Sequence, residues 1–173
     1  EFREIRKLNP NFINLCLNDD LCSKITLQPL KRFDLSAAII FSDILMVPYG
    51  LKQKVNFKKN FGPQLGEINL KDVSKEEFLK KLKPIYNCIN KVKSNNLIRN
   101  KNLIGFIGAP WTLLIYMINK KSPKKKIDSS FFDNKNLINE ILKKLEKFLI
   151  IHIENQIDNG ADIIQIFDSW AGL

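Results

Sequence analysis

The chain has 173 residues, of which 45% are hydrophobic, and a formal net charge of +10. This composition suits one globular domain with a core, and no apolar run reaches the roughly 20 residues that a membrane-spanning helix requires. The lysines are scattered among asparagines instead of being interleaved with arginine and aromatic residues, which weighs against nucleic-acid binding, although a positive field could steer an anionic small molecule. We therefore expect neither a nucleic acid nor a membrane as partner, and the charge alone does not decide whether the partner is a small molecule.

The three cysteines, Cys16, Cys22 and Cys88, form no CxxC pair and have no histidine at ligand spacing. Their odd number indicates reduced thiols in a cytoplasmic protein and argues against a disulfide framework or a structural zinc site. We interpret all three as buried and inert.

Three apolar runs rich in Ile, Phe or Val alternate with helical patterns. The runs are residues 37–47, 102–110 and 161–172, and the helical patterns are residues 75–93 and 136–160. Continuous apolar runs are typical of strands covered on both faces in a parallel sheet. The order strand, helix, strand, helix, strand therefore predicts an α/β fold with a parallel sheet.

The connections between the apolar runs are longer than a minimal βαβ unit needs, so we expect extra helices or loops in them. Residues 47–70, with three glycines and two prolines, are the best candidate for a long excursion. Gly160 stands where the second helical pattern should end. The chain begins without Met and stops just after the third run, so we expect residues 1–173 to be a single domain truncated at both ends.

Functional side chains gather at the carboxyl ends of the strands in parallel α/β folds. Polar residues lie in or directly after the corresponding parts of the apolar runs, and Asp43 lies inside the first run, which we expect to be a buried strand. The candidates are Ser42, Asp43, Thr112, Asp168 and Ser169, with Tyr116 one helical turn after Thr112. Structural interpretations stay open for most of them: Thr112 as a helix-start residue, Trp111 as core and Asp168 as a loop cap. Asp43 is harder to explain structurally, because burial would neutralise it unless a cation or several N–H donors compensate.

His152, the only histidine, follows the apolar face of the second helical pattern, and we interpret it as a half-buried structural residue. The sequence has no GxGxxG, no P-loop and no HExxH motif. This weighs against the common modes of dinucleotide and ATP binding and against a zinc-protease site.

Three segments closely resemble the uroporphyrinogen decarboxylase family, in that family's order and spacing. They are "TLQPLKRFDLSAAIIFSDILMVP" (26–48), "IGFIGAPWTLLIYMI" (104–118) and "GADIIQIFDSWAG" (160–172); "EFREIR" (1–6) also resembles the segment after that family's N-terminal arginine motif. The resemblance implies a (β/α)8 TIM-type barrel with its cleft at the carboxyl ends of the strands, of which this chain would supply about three strands. It further implies decarboxylation of the four acetate side chains of uroporphyrinogen III to coproporphyrinogen III, without metal or organic cofactor, by a protein that is often a homodimer.

The resemblance also implies roles for individual residues. Asp43 matches the catalytic aspartate, which accepts hydrogen bonds from the pyrrole N–H groups of the substrate. Tyr116 and Ser169 match residues that bind substrate carboxylates, and Arg6 matches a basic residue that can reach another. Phe41 and Phe167 are hypothetical apolar walls of the cleft, and a plain core role is equally open for them.

The sequence departs from the family pattern in what it lacks. The family's N-terminal arginine pair, one candidate for the proton donor, and its C-terminal histidine have no counterpart in the chain, so we expect the chain alone to be inactive.

A cobamide-dependent methyltransferase of the same superfamily is one alternative, but it would need zinc ligands, and His152 has no Cys close in sequence. A non-catalytic tetrapyrrole-binding barrel is another, against which the joint presence of Asp43, Tyr116 and Ser169 argues.

Overall fold

The computed structural model describes residues 1–122, 130 and 133–172. The helices are α1 (Phe2–Leu8), α2 (Phe12–Cys16), α3 (Asp19–Arg32), α4 (Met46–Gly50), α5 (Lys75–Lys93), α6 (Pro110–Asn119) and α7 (Lys135–Asp158), with a 3-10 turn at Asn96–Ile98. The strands are β1 (Ala37–Ile39), β2 (Val55–Lys58), β3 (Gly62–Leu65), β4 (Asn102–Gly108) and β5 (Ile163–Phe167).

The main sheet is parallel, with strand order β1-β4-β5. Ile39 lies beside Ile104, and Ile104 beside Ile163, so the strands pair in register across the sheet. Strands β2 and β3 form a separate antiparallel hairpin within the excursion expected after the first run. The α/β fold with a parallel sheet, as in part of a TIM-type barrel, is confirmed.

The two faces of the parallel sheet differ in burial. Ala38, Leu103 and Ile107 lie on the face that packs against the helices, and each is at most 5% exposed. Residues that pair across the sheet share a face, so Ile39, Ile104, Phe106, Ile163 and Phe167 lie together on the opposite face. Apart from Gln165, which pairs with Phe106, the residues of that face are apolar. The face is partly open, since Ile39 is 57% exposed and Phe167 is 40% exposed.

Helix α5 spans the range that the sequence predicts, residues 75–93. A capping box starts it: the Ser74 hydroxyl accepts from the Glu77 N–H, and the Glu77 carboxylate accepts from the Ser74 N–H. The helix continues through Pro84, because its buried apolar face runs unbroken on both sides of the proline.

Helix α7 and strand β4 are joined by the buried side chain of Gln156. Its Oε1 accepts from the Phe106 N–H (3.0 Å), and its Nε2 donates to the Phe106 carbonyl (3.1 Å). A side chain at Gly105 would collide with this amide, which explains the glycine there. The helix ends at Asp158, and Gly160 takes a positive φ of 114°, which confirms it as the stop signal.

The apolar run at residues 37–47 is not one strand, and this prediction is wrong beyond Ile39. Residues 40–45 form a loop that ends in a turn, and α4 begins at Met46. Side chains outside the sheet form hydrogen bonds with the backbone N–H groups of this segment. The Thr26 hydroxyl accepts from the Phe41 N–H, and the Asp43 side chain accepts from the Leu45 N–H. Asp43 therefore lies after the strand and not within it. The third run, residues 161–172, likewise forms a strand only from Ile163 to Phe167.

The predicted structural residues lie in the core. Cys16, Cys22 and Cys88 are buried and free. His152 is fully buried instead of half-buried as predicted, and its Nδ1 lies 2.9 Å from the Tyr86 hydroxyl. Burial lowers the pKa of His152 to about 4, so its imidazole is neutral near pH 7. No helix within the described ranges has the length and apolarity needed to cross a membrane.

Candidate functional site

The loops that follow β1, β4 and β5 carry the candidate residues. Because the three strands are parallel, their carboxyl ends lie at one edge of the sheet. The loop after β1 lies against the end of β4, where a Cβ placed on Gly108 would be 3.1 Å from the Ile44 Cβ. This edge is where a β/α barrel binds its ligands.

Asp43 is a partly buried carboxylate that accepts one hydrogen bond from the described residues. Its Oδ1 accepts from the Leu45 N–H at 2.8 Å. Burial raises the pKa of Asp43 to about 6, and the Leu45 hydrogen bond opposes that shift. Within residues 1–122, 130 and 133–172, no ion pair involves Asp43. The cation or additional N–H donors expected from the sequence are thus not supplied by the described part of the chain.

Phe41 joins the Asp43 loop to the N-terminal helices. Its ring centroid lies 5.4 Å from that of Phe2 and 6.0 Å from that of Phe12. Phe167 lies elsewhere on the open sheet face, with its centroid 5.5 Å from that of Phe106. Both predicted wall residues therefore stand beside a second aromatic ring.

Arg6 lies on α1, at a cleft between the N-terminal helices and the β2–β3 hairpin. Its guanidinium donates to the Asn9 carbonyl at 2.6 Å and lies 5.3 Å from the centre of the Phe12 ring. The open cleft has a volume of about 760 Å³, and aromatic rings and the side chains of Arg3, Lys58 and other cations line it. Since Phe2 and Phe12 contact Phe41, the cleft adjoins the aromatic group beside the Asp43 loop.

Tyr116 and Ser169 lie on neighbouring elements after β4 and β5. The Tyr116 hydroxyl is 3.4 Å from the Ser122 Oγ, and its ring packs at 6.5 Å, centroid to centroid, from Trp170. Ser169 is exposed in the turn after β5, directly before Trp170. The Tyr116 ring therefore packs beside the turn that carries Ser169.

Sequence reasoning underestimated Thr112 and missed Phe106. Thr112 lies in the first turn of α6, as expected for a helix-start residue, but its hydroxyl donates to Asp168 Oδ1 at 2.7 Å and accepts from the Trp170 N–H at 3.1 Å. Phe106 is one of several alternating apolar residues of β4, and only the strand register shows which face it occupies. Neither role has a local sequence signal.

The fold and the rim residues define the class of protein. Parallel strands alternate with helices, and a carboxylate and several hydroxyls follow the strands at their carboxyl ends. This is part of a β/α barrel, a fold in which ligands bind at the carboxyl rim.

The particular family follows from comparison with known proteins. The family model for uroporphyrinogen decarboxylase matches residues 1–173, and the chain belongs to that family.

Curated relatives agree with this assignment. A uroporphyrinogen decarboxylase from Rickettsia bellii is 41% identical over all of this chain and 52% of the relative. One from Campylobacter jejuni is 40% identical over 99% of this chain and 52% of the relative. The chain thus spans about half the length of these relatives.

Among solved structures, a methyltransferase from Methanosarcina mazei matches with a TM-score of 0.70 at 14% identity. The match covers 95% of this chain and 50% of that one. At this identity the likeness supports the shared fold alone.

Proposed function

We propose that the complete gene product containing this chain is a uroporphyrinogen decarboxylase. It would remove the carboxyl groups of the four acetate side chains of uroporphyrinogen III and yield coproporphyrinogen III, without a cofactor. Family membership supports the reaction class. The observation that carries the proposal is Asp43, a carboxylate at the rim whose charge the described chain does not balance.

The chemistry explains why such a carboxylate is useful. A proton added to the ring carbon next to the one that bears the acetate makes the pyrrole ring electron-deficient. The bond to the carboxylate then breaks, CO2 leaves, and the electron pair enters the ring. A proton then adds to the resulting exocyclic methylene and the ring carbon releases its own, so that a methyl group replaces the acetate with a net uptake of one proton.

Asp43 would act on the positive charge that develops on the ring. Its carboxylate accepts hydrogen bonds from the pyrrole N–H groups and stabilises the cation in a site with little water, the counterpart of an oxyanion hole. A preorganised group of this kind contributes on the order of 3–4 kcal/mol to the transition state. The same N–H donors would keep Asp43 ionised despite its burial.

The other candidates would hold the periphery of the substrate. Tyr116 and Ser169 donate hydrogen bonds to its carboxylates, and Arg6 pairs with another across the cationic cleft. The rings of Phe41 and Phe167 contact the apolar macrocycle. We further propose a cytoplasmic homodimer, as is common in the family.

An anaerobic assay of the complete gene product with uroporphyrinogen III tests this function. The products are oxidised to porphyrins and separated by their number of carboxyl groups. Stepwise appearance of species with seven to four carboxyls is expected. Binding of the porphyrinogen without any decarboxylation would instead identify a tetrapyrrole carrier, and methyl transfer without decarboxylation would identify a methyltransferase.

A further inference from the structure

Thr112 occupies a position that no simple packing role explains. Its side chain is fully buried, and its one hydroxyl makes two hydrogen bonds to the turn after β5. It donates to Asp168 Oδ1 at 2.7 Å and accepts from the Trp170 N–H at 3.1 Å. One oxygen atom thus holds the residues on both sides of Ser169.

Other contacts of this turn do not replace the hydroxyl. The Trp170 indole N–H is buried and has no hydrogen-bond partner within the described ranges. The Ala109 N–H donates to the Phe167 carbonyl at 2.8 Å, but this bond fixes the end of β5 and not the turn itself. Ser169 is exposed, so its position depends on its anchored neighbours.

The same helix carries the second hydroxyl. Tyr116 follows Thr112 by one turn of α6, and its ring packs against Trp170. The hydrogen bonds of Thr112 therefore join the turn with Ser169 and the helix with Tyr116 into one unit. A shift of the turn would change the distance between the two hydroxyls.

We propose that Thr112 is a positioning residue that sets Ser169, relative to Tyr116, for binding of the substrate carboxylates. This rests on the proposed function, in which Ser169 contacts those carboxylates. Thr112 itself is fully buried, so we place it behind the residues that bind the substrate. Its effect should therefore pass through Ser169, which a double-mutant cycle can detect.

The cycle uses Thr112→Val, Ser169→Ala and the double variant in the complete gene product. Valine keeps the shape of threonine and removes the hydroxyl. We expect Thr112→Val to raise the KM for uroporphyrinogen III roughly tenfold, with a smaller change in kcat, because misplacing a binding group weakens it by such factors. In the Ser169→Ala background the same change should alter KM by less than about twofold. Thr112→Ser, which keeps the hydroxyl, should restore KM to within about threefold.

Thr26→Val is the matched control. Thr26 is also a buried threonine, and its hydroxyl donates to the Cys22 carbonyl and accepts from the Phe41 N–H, away from Ser169. Whatever Thr26→Val does to KM, its effect should multiply with that of Ser169→Ala. If the effects of Thr112→Val and Ser169→Ala also multiply, or if Thr112→Ser fails to restore KM, Thr112 is a structural residue and the proposal is wrong.

A binding readout separates this proposal from the proposed function. The same variants are titrated with uroporphyrin, the stable octacarboxylate, by following its fluorescence. Coupling in the Kd with no turnover by wild type would retain the role of Thr112 and reject the decarboxylase. Turnover by wild type without coupling would retain the decarboxylase and reject the role of Thr112. A wild type that neither binds uroporphyrin nor reacts would reject both proposals.

Discussion

At the scale of single residues, the charge of Asp43 is the feature that most needs a ligand. The described chain gives its carboxylate one N–H donor, from Leu45, and burial raises its pKa to about 6. An ionised carboxylate removed from water is stabilised by opposite charge or by further N–H donors. The pyrrole N–H groups of a porphyrinogen would supply such donors, which links the electrostatics of this residue to its proposed role.

The raised pKa predicts the acid side of the pH profile. The proposed mechanism needs ionised Asp43, and the free enzyme protonates it as the pH falls through about 6. We therefore expect kcat/KM to decline below about pH 6, toward tenfold per pH unit, when initial rates are measured from pH 5 to 8. Because bound N–H donors lower the pKa of Asp43, the decline in kcat should lie at lower pH. A kcat/KM that stays level through pH 6 in both wild type and Asp43→Glu would contradict this.

The same pKa predicts a gain in stability when the charge is removed. The pKa of Asp43 is higher in the folded protein, about 6, than its ordinary value of 3.8. Its protonation therefore favours folding fully below pH 3.8, and this contribution is lost as the pH rises through 6. Asp43→Asn should raise the free energy of unfolding at pH 8, by at most about 3 kcal/mol, and have little effect at pH 3.5.

Denaturant unfolding of both proteins at the two pH values measures this difference. Asparagine keeps an oxygen that can accept from the Leu45 N–H, so the local turn has no reason to change. An Asp43→Asn variant that is less stable than wild type at pH 8 would mean that the ionised carboxylate stabilises the fold, contrary to the cost of its burial.

The sequence identified some of these residues and not others, for physical reasons. Asp43 stood out because a carboxylate among apolar residues is costly to bury. Thr112 did not, because a threonine near a helix start is common and its partner Asp168 lies 56 residues away. Hydrogen bonds between distant segments leave no local pattern.

At the scale of elements, helices were easier to predict than strand ends. Capping residues and an amphipathic face define α5, and both are readable in the sequence. The end of β1 depends instead on a side chain from a distant segment. The Ile40 N–H still donates to the Ile104 carbonyl, but the next N–H, that of Phe41, donates to the Thr26 hydroxyl. The apolar residues that follow are buried in turns, and apolar periodicity does not distinguish these from a buried strand.

Gln156 is expected to be the main polar link between α7 and β4. Strand β1 is short and does not extend as far as Phe106. The Phe106 backbone N–H and carbonyl bond to the side-chain amide of Gln156. Gln156→Leu leaves two half-buried backbone groups unpaired, which should lower the free energy of unfolding by about 2–4 kcal/mol. Denaturant unfolding of the complete gene product measures this.

Gln64→Leu is the control for that substitution. Gln64 lies half-buried on the hairpin, and within the described part of the chain its side-chain amide bonds to the adjacent Pro63 carbonyl. Equal losses of stability from the two substitutions would show that the Gln156 bonds to β4 add nothing specific.

At the scale of the whole molecule, the open sheet face indicates that further structure completes the fold. Ile39, Ile163 and Phe167 are each at least 40% exposed on it, and β1 and β5 have free edges in the three-stranded sheet. Curated relatives are about twice as long as the chain.

The three segments that resemble the family allowed the barrel class to be predicted. The β2–β3 hairpin was not predicted, because its strands are short and lie between glycines and prolines.

The open face predicts how residues 1–173 behave when produced alone. Exposed apolar surface and free strand edges promote association, so this chain should self-associate and bind a hydrophobic dye, and should be inactive. Light scattering and dye fluorescence, with the complete gene product as the reference, measure both properties. A monodisperse monomer with no dye binding would mean that the half-barrel is self-sufficient.

The most direct test of the central claim is the decarboxylation rate of Asp43→Asn and Asp43→Glu in the complete gene product. Asparagine keeps the size and the hydrogen-bonding oxygen of Asp43 and removes the charge, while glutamate keeps the charge and moves it. Loss of a preorganised charge worth about 3–4 kcal/mol predicts a 10²–10³-fold lower kcat for Asp43→Asn with uroporphyrinogen III, and partial activity for Asp43→Glu. If Asp43→Asn decarboxylates within a few-fold of wild type, the Asp43 carboxylate is not the group that stabilises the reacting ring.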